Sequence, residues 1–95
     1  MSDNVATPET TEHVTIFFAD WCPFCKRLLT DLNGLGTPHA LVDAEAEGTE
    51  DINAWIESVN DGNRIIPTVL YSDGTHETNP PASSVRNKQK ELAES

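Results

Sequence analysis

Residues 13–19, H-V-T-I-F-F-A, are β-branched and aromatic and read as a buried strand. Within three positions the chain becomes Cys22-Pro23-Phe24-Cys25. Proline suits the first helical position, where its missing N–H would have had no partner. Downstream, Phe24, Leu28, Leu32 and Leu35 recur at near-helical spacing, and Leu29 widens the stripe. Gly34 and Gly36 are its expected end. Residues 40–42, Ala-Leu-Val after Pro38, supply a second short strand. Strand, helix and strand make a βαβ unit, whose crossover is expected to be right-handed.

Ile52, Trp55, Ile56 and Val59 then fall at i, i+3, i+4 and i+7, the clearest amphipathic helix in the chain. Thr49 is its expected N-cap, Glu50 and Asp51 favour its first turn, and Gly62 is its stop. Residues 68–71, Thr-Val-Leu-Tyr, read as a third strand. Asp73-Gly74 reads as a two-residue hairpin turn that demands positive φ. It leads to a fourth strand over residues 75–78. Asn79-Pro80-Pro81 breaks the chain. Ser83 or Ser84 is the expected cap of a last helix, reaching about Glu94, with a thin apolar face of Val85, Leu92 and Ala93. The predicted order is β-α-β-α-β-β-α: an α/β fold with a four-stranded mixed sheet and three helices.

Ninety-five residues suffice for one domain with a modest core. Residues 1–11 carry no apolar period and read as a flexible tail, leaving residues 12–95 as the domain. No basic start leads into an apolar run, and no stretch approaches the ~20 apolar residues of a membrane span. The expectation is a cytoplasmic protein. A net charge of −10 disfavours nucleic acid, whose phosphates need clustered Lys and Arg. Residues 43–61 hold seven carboxylates and no Lys or Arg, which reads as a solvated helix with its approach loop, or as a docking face for a basic partner. Two of the six basic residues, Lys26 and Arg27, directly follow Cys25.

A bridge between cysteines two residues apart constrains the unfolded chain little, so the pair matters through its chemistry. A sulfur at a helix start faces unpaired backbone N–H groups and the positive end of the helix dipole, and both favour thiolate over thiol. Cys22 is expected at the helix lip, facing solvent and those N–H groups. Cys25 is expected on the core side of the first turn, where burial keeps a thiol protonated. Cys22 therefore reads as the nucleophile and Cys25 as the resolving thiol. Half of a zinc site is the competing use, but His13, His39 and His76 show no H-x-x-x-H spacing.

Pro67 interrupts an apolar run, Ile65-Ile66-Pro67-Thr68-Val69-Leu70. It punctuates the start of a strand, or it forms a cis Ile66-Pro67 bond beside the dithiol. The second arrangement leaves the Ile66 backbone N–H and C=O open to a bound thiol compound.

Trp21-Cys22-Pro23-Phe24-Cys25, Ile66-Pro67-Thr68 and Ser72-Asp73-Gly74-Thr75 together resemble the glutaredoxin branch of the thioredoxin superfamily. The likeness covers the chain from about His13 onward and implies the thioredoxin fold. Residues 55–80 resemble mycoredoxins more specifically, the glutaredoxin-like enzymes of organisms that use mycothiol. Glutaredoxins typically carry a Gly-Gly-x-Asp-Asp-like clamp for glutathione after the fourth strand. Here that stretch is Thr75-His76-Glu77-Thr78-Asn79-Pro80, with no glycine pair and no acidic pair.

The resemblance implies Cys22 as nucleophile, Cys25 as resolving thiol and Ile66-Pro67 as the edge of a substrate groove. It adds Arg64, Thr78 and Asn79 as contacts for a sugar-rich thiol. Trp21 and Phe24, with Pro23 between them, are either an apolar wall at the sulfur or part of the core. The implied reaction is reduction of protein–mycothiol mixed disulfides. Mycothiol is then a co-substrate with no bound cofactor or metal, mycothiolated proteins are the partners, and an NADPH-linked mycothiol disulfide reductase is an indirect one. The protein is expected to act as a monomer.

Two rivals stay open on sequence. One is a small dithiol redoxin passing electrons from thioredoxin reductase to ribonucleotide reductase, although the Trp-Ser-Gly-like segment late in such chains is missing. The other is an iron–sulfur or metal carrier using Cys22 across a dimer, which Pro23 disfavours by stiffening the motif.

Overall fold

The computed structural model describes residues 7–94. The expected tail over residues 1–11 therefore lies partly outside the described residues; residues 7–13 form neither helix nor strand. The elements are β1 (Val14–Phe18), α1 (Pro23–Leu35), β2 (Ala40–Asp43), α2 (Glu50–Ser58), β3 (Thr68–Tyr71), β4 (His76–Thr78) and α3 (Ala82–Glu94). Their order is the predicted one. The sheet runs β2-β1-β3-β4, with β1 parallel to β2 and antiparallel to β3, and β3 antiparallel to β4.

Alternation along β1 divides the core in two. Phe17 packs with Trp55 and Ile56 of α2 on one face, while Val14 and Ile16 pack with Leu28 and Leu32 of α1 and Val85 of α3 on the other. The Phe17 and Trp55 rings meet edge to face, with centroids 5.6 Å apart. Cys22 and Cys25 belong to the α2-side cluster, with Ala19, Ala44 and Ile66. The dithiol thus stands at the end of the central strand and is backed by core.

Several local expectations are corrected. The buried stripe of α1 is Cys25, Leu28 and Leu32; Phe24 and Leu35 are exposed, because a helix over a narrow sheet buries only its central row. Gly34 lies inside α1, and Gly36 ends it at φ 69°. Thr49 stands at the N-cap position of α2 as expected, its carbonyl accepting the Asn53 N–H at 2.9 Å, but its side chain caps no helix amide. Its hydroxyl instead donates to the carbonyls of Ala44 and Ala46, at 3.1 and 2.7 Å. The hairpin loop is three residues, 72–74, rather than two. The Gly74 N–H donates to Tyr71 C=O at 3.0 Å, the Tyr71 N–H donates to Thr75 C=O at 2.8 Å, and only Gly74 takes positive φ. A tight turn followed by a left-handed glycine is the common three-residue solution. The Asp73 carboxylate fixes it by accepting the Thr75 amide and hydroxyl. Finally, α3 begins at Ala82, so Ser83 and Ser84 sit within its first turn; the Pro81 carbonyl accepts its first bonds.

Candidate active site

Cys22 occupies the N-cap of α1, in extended backbone at φ −86° and ψ 111°. Its carbonyl accepts the Lys26 N–H at 3.1 Å, and its sulfur accepts the Cys25 N–H at 3.1 Å. The sulfur thereby takes the place that a Ser or Asp oxygen takes in an ordinary N-cap. Pro23 stands at the first helical position, as predicted. Both cysteines are free thiols.

The expectation that Cys22 faces solvent is corrected: it is only 2% exposed. The sulfur turns inward to take the Cys25 amide, and its thiol donates to the Ile66 carbonyl at 3.8 Å. Cys25 is fully buried. Burial first, and then its hydrogen bond with Cys22, push the Cys25 thiol up to about 12.

The Ile66-Pro67 bond is cis and both residues are buried. Trp21 and Phe24, by contrast, are 62% and 58% exposed, so neither belongs to the core. Phe24 and Asn79 share a cavity of about 340 Å³ with Arg27, Asp31 and the start of α3. Asn79 adopts φ 49°, and its N–H donates to Pro67 C=O at 2.7 Å.

Arg64 and Thr78 do not line this cavity and are engaged with the protein itself. Arg64 Nε donates to Asn53 Oδ1 at 2.7 Å, its Nη2 donates to Ala44 C=O at 3.2 Å, and the same nitrogen lies 3.1 Å from Glu45 Oε2. It braces the segment before Ile66 against the loop leading into α2. The Thr78 hydroxyl donates to Asn60 Oδ1 at 2.6 Å. Sequence reasoning missed Asn53 and Asn60, which hold these two residues. Nothing in their spacing marks them, because the partners they hold, Arg64 and Thr78, lie 11 and 18 residues further along the chain. It also missed Ile65, exposed next to the Ile66-Pro67 edge, and Arg27, whose charge was noted but not its cavity.

No family model matches the chain. Among curated proteins it is 51% identical over 81 residues to Mycoredoxin 1 of Corynebacterium glutamicum, covering 85% of this chain and 98% of that one. The chain belongs to the mycoredoxin family of glutaredoxin-like proteins. Solved glutaredoxins share its fold. That of Archaeoglobus fulgidus superposes with a TM-score of 0.63 at 22% identity, covering 80% of this chain and 84% of that one. Wheat glutaredoxin gives 0.60 at 24%, covering 88% and 78%. The mycoredoxin-type chain is therefore a thiol–disulfide oxidoreductase of the thioredoxin fold, as its sequence led one to expect. No described helix of this mycoredoxin-like protein is long and apolar enough to cross a membrane.

Proposed function

We propose that this enzyme reduces mixed disulfides between proteins and mycothiol, with Cys22 as the attacking sulfur. The observation that carries the role of Cys22 is its place at the α1 N-cap, with the Cys25 amide aimed at its sulfur at 3.1 Å. The 51% identity to Mycoredoxin 1 supports mycothiol as the small thiol.

In the proposed cycle the Cys22 thiolate attacks the mycothiol sulfur of the mixed disulfide. That S–S bond breaks, the protein leaves as a thiolate that takes a proton, and a Cys22–mycothiol disulfide forms. A second mycothiol thiolate attacks the mycothiol sulfur of this adduct. Oxidised mycothiol departs, Cys22 is restored, and an NADPH-linked reductase recycles the oxidised mycothiol. In the two-thiol route Cys25 would attack Cys22 instead, expelling mycothiol. Burial keeps the Cys25 thiol protonated and makes it a slow nucleophile, which favours the one-thiol route.

The cavity shared by Phe24 and Asn79, about 340 Å³, is the place we assign to the sugar end of mycothiol. Trp21 and Phe24 offer apolar surface beside it, Pro23 sets the helix start, and the Ile66 backbone offers hydrogen bonds to the cysteine arm. Arg64 and Thr78 act behind this surface through their own partners. We place the reaction in the cytoplasm, where thiols are kept reduced, and treat the enzyme as a monomer.

The test is reduction of one cysteine peptide carried as its mycothiol and as its glutathione mixed disulfide, each with the matching thiol and reductase. Faster turnover of the mycothiol form by at least tenfold is expected. Equal rates, or a glutathione preference, would remove mycothiol from the reading and leave the oxidoreductase.

A further inference from the structure

We infer that Asn60 is a positioning residue for disulfide exchange, setting the Ile66-Pro67 edge against which substrate docks. The inference rests on Cys22 and that edge forming the reacting site.

Asn60 follows α2 and joins three elements through one side chain. Its Nδ2 donates to Ile56 C=O in α2 at 2.8 Å and to Thr68 Oγ1 at the start of β3 at 3.4 Å. Its Oδ1 accepts the Thr78 hydroxyl at the end of β4 at 2.6 Å. Thr68 and Thr78 are themselves cross-strand partners. Asn60 therefore closes the open side of this strand pair onto the helix.

The bonds continue to the edge itself. The Thr68 hydroxyl donates to Ile65 C=O at 2.7 Å, immediately before Ile66. On the other side, the Asn79 N–H holds Pro67 C=O at 2.7 Å. The carbonyl between these two anchors, that of Ile66, is the one that receives the Cys22 thiol. Thr68 is fully buried, so its hydroxyl cannot turn to water if Asn60 is lost. Asn60 lies one residue beyond Thr68 in this chain of bonds and has no contact with either sulfur. Its effect must pass through the placement of residues 65–67.

Loss of Asn60 is therefore expected to weaken docking while sparing the sulfur chemistry. Asn60→Ala and Thr68→Val should each raise KM for a cysteine-peptide–mycothiol mixed disulfide about tenfold, the scale of one lost buried hydrogen bond. The value of kcat and the rate of Cys22 alkylation by iodoacetamide should stay within twofold. Thr68→Ser, which keeps the hydroxyl, should recover a near wild-type KM. Assays belong well below each variant's melting temperature, so that lost fold does not pass for lost docking; should Asn60→Ala not fold, the Thr68 pair carries the test. An unchanged KM in the folded variants, or a fall in kcat and alkylation rate instead, would overturn the inference. The glutathione mixed disulfide of the same peptide is run in parallel, since the effect does not depend on which small thiol is preferred. Cys22→Ser is the separate control: retained activity there would sink the assignment of the attacking sulfur whatever Asn60 does.

Discussion

The backbone N–H of Cys25 donates to the sulfur of Cys22 at 3.1 Å, so one cysteine of the pair supplies the hydrogen bond that holds the other. A spacing of two intervening residues permits this bond, since the residue three beyond an N-cap presents its amide to the cap side chain. Burial first, and then the Cys22 side chain, push the Cys25 thiol up to about 12.

Selective labelling follows from that asymmetry. Limiting iodoacetamide at pH 8 should modify Cys22 at least ten times faster than Cys25 in the reduced, folded protein. Peptide mass spectrometry reads the ratio directly. Comparable labelling of both sites would mean that Cys25 is neither buried nor held protonated.

The stability of the reduced protein should fall as pH rises from about 9 to about 12. The ordinary thiol value is 9.0 and that of folded Cys25 is about 12, so across this window the unfolded chain loses its proton while the folded chain keeps it. Stability falls wherever the unfolded state binds fewer protons. Tyr71, pushed upward by burial and by its bond to Glu77, adds to the slope at the alkaline end. Urea titrations of the reduced wild type and of Cys25→Ser, compared at pH 8 and pH 10.5, isolate the cysteine part. Parallel pH profiles for the two proteins would contradict the burial of Cys25.

Much of this architecture was legible in the chain because each element carried its own period. Ile52, Trp55, Ile56 and Val59 announced α2, and Pro23 after Cys22 announced the start of α1. The burial of Cys22 was not legible, because it depends on Ile66, 44 residues away, whose carbonyl covers the thiol. The same holds for Arg64. The family resemblance implied a contact for substrate, whereas Asn53, Glu45 and the Ala44 carbonyl engage it from across the fold. Local pattern shows where a side chain starts; its partner comes from tertiary contact.

Two glycines two residues apart should respond to alanine with opposite signs. Gly36 sits at φ 69° with open space where a Cβ would stand, so Gly36→Ala meets backbone strain alone, about 1–2 kcal/mol. Gly34 lies within α1, also in open space, and Gly34→Ala should gain about 0.5–1 kcal/mol. Thermal melts should shift by roughly 4–8 °C per kcal/mol in a domain of this size. A destabilised Gly34→Ala would place the end of α1 earlier, at Gly34 itself, as the sequence pattern had suggested.

Threonine hydroxyls on neighbouring strands should also diverge when replaced by valine of the same shape. Thr15 pairs with Ala40 and Leu70 in the middle of the sheet, and its Oγ1 is buried without a hydrogen-bond partner among the described residues. An unpaired buried hydroxyl carries a desolvation penalty of about 1–3 kcal/mol that a methyl group does not. Thr15→Val should therefore raise the urea midpoint, helped by the strand preference of valine. Thr68 is equally buried, but its hydroxyl donates to Ile65 C=O and receives the Asn60 amide. Thr68→Val takes away the hydroxyl that donates to Ile65 C=O and one of the two acceptors of the Asn60 amide, and should lower the midpoint. Equilibrium unfolding of the two variants beside wild type gives both signs in one experiment. A loss of stability in Thr15→Val would require a partner for its hydroxyl, such as a buried water bridging to the neighbouring strands.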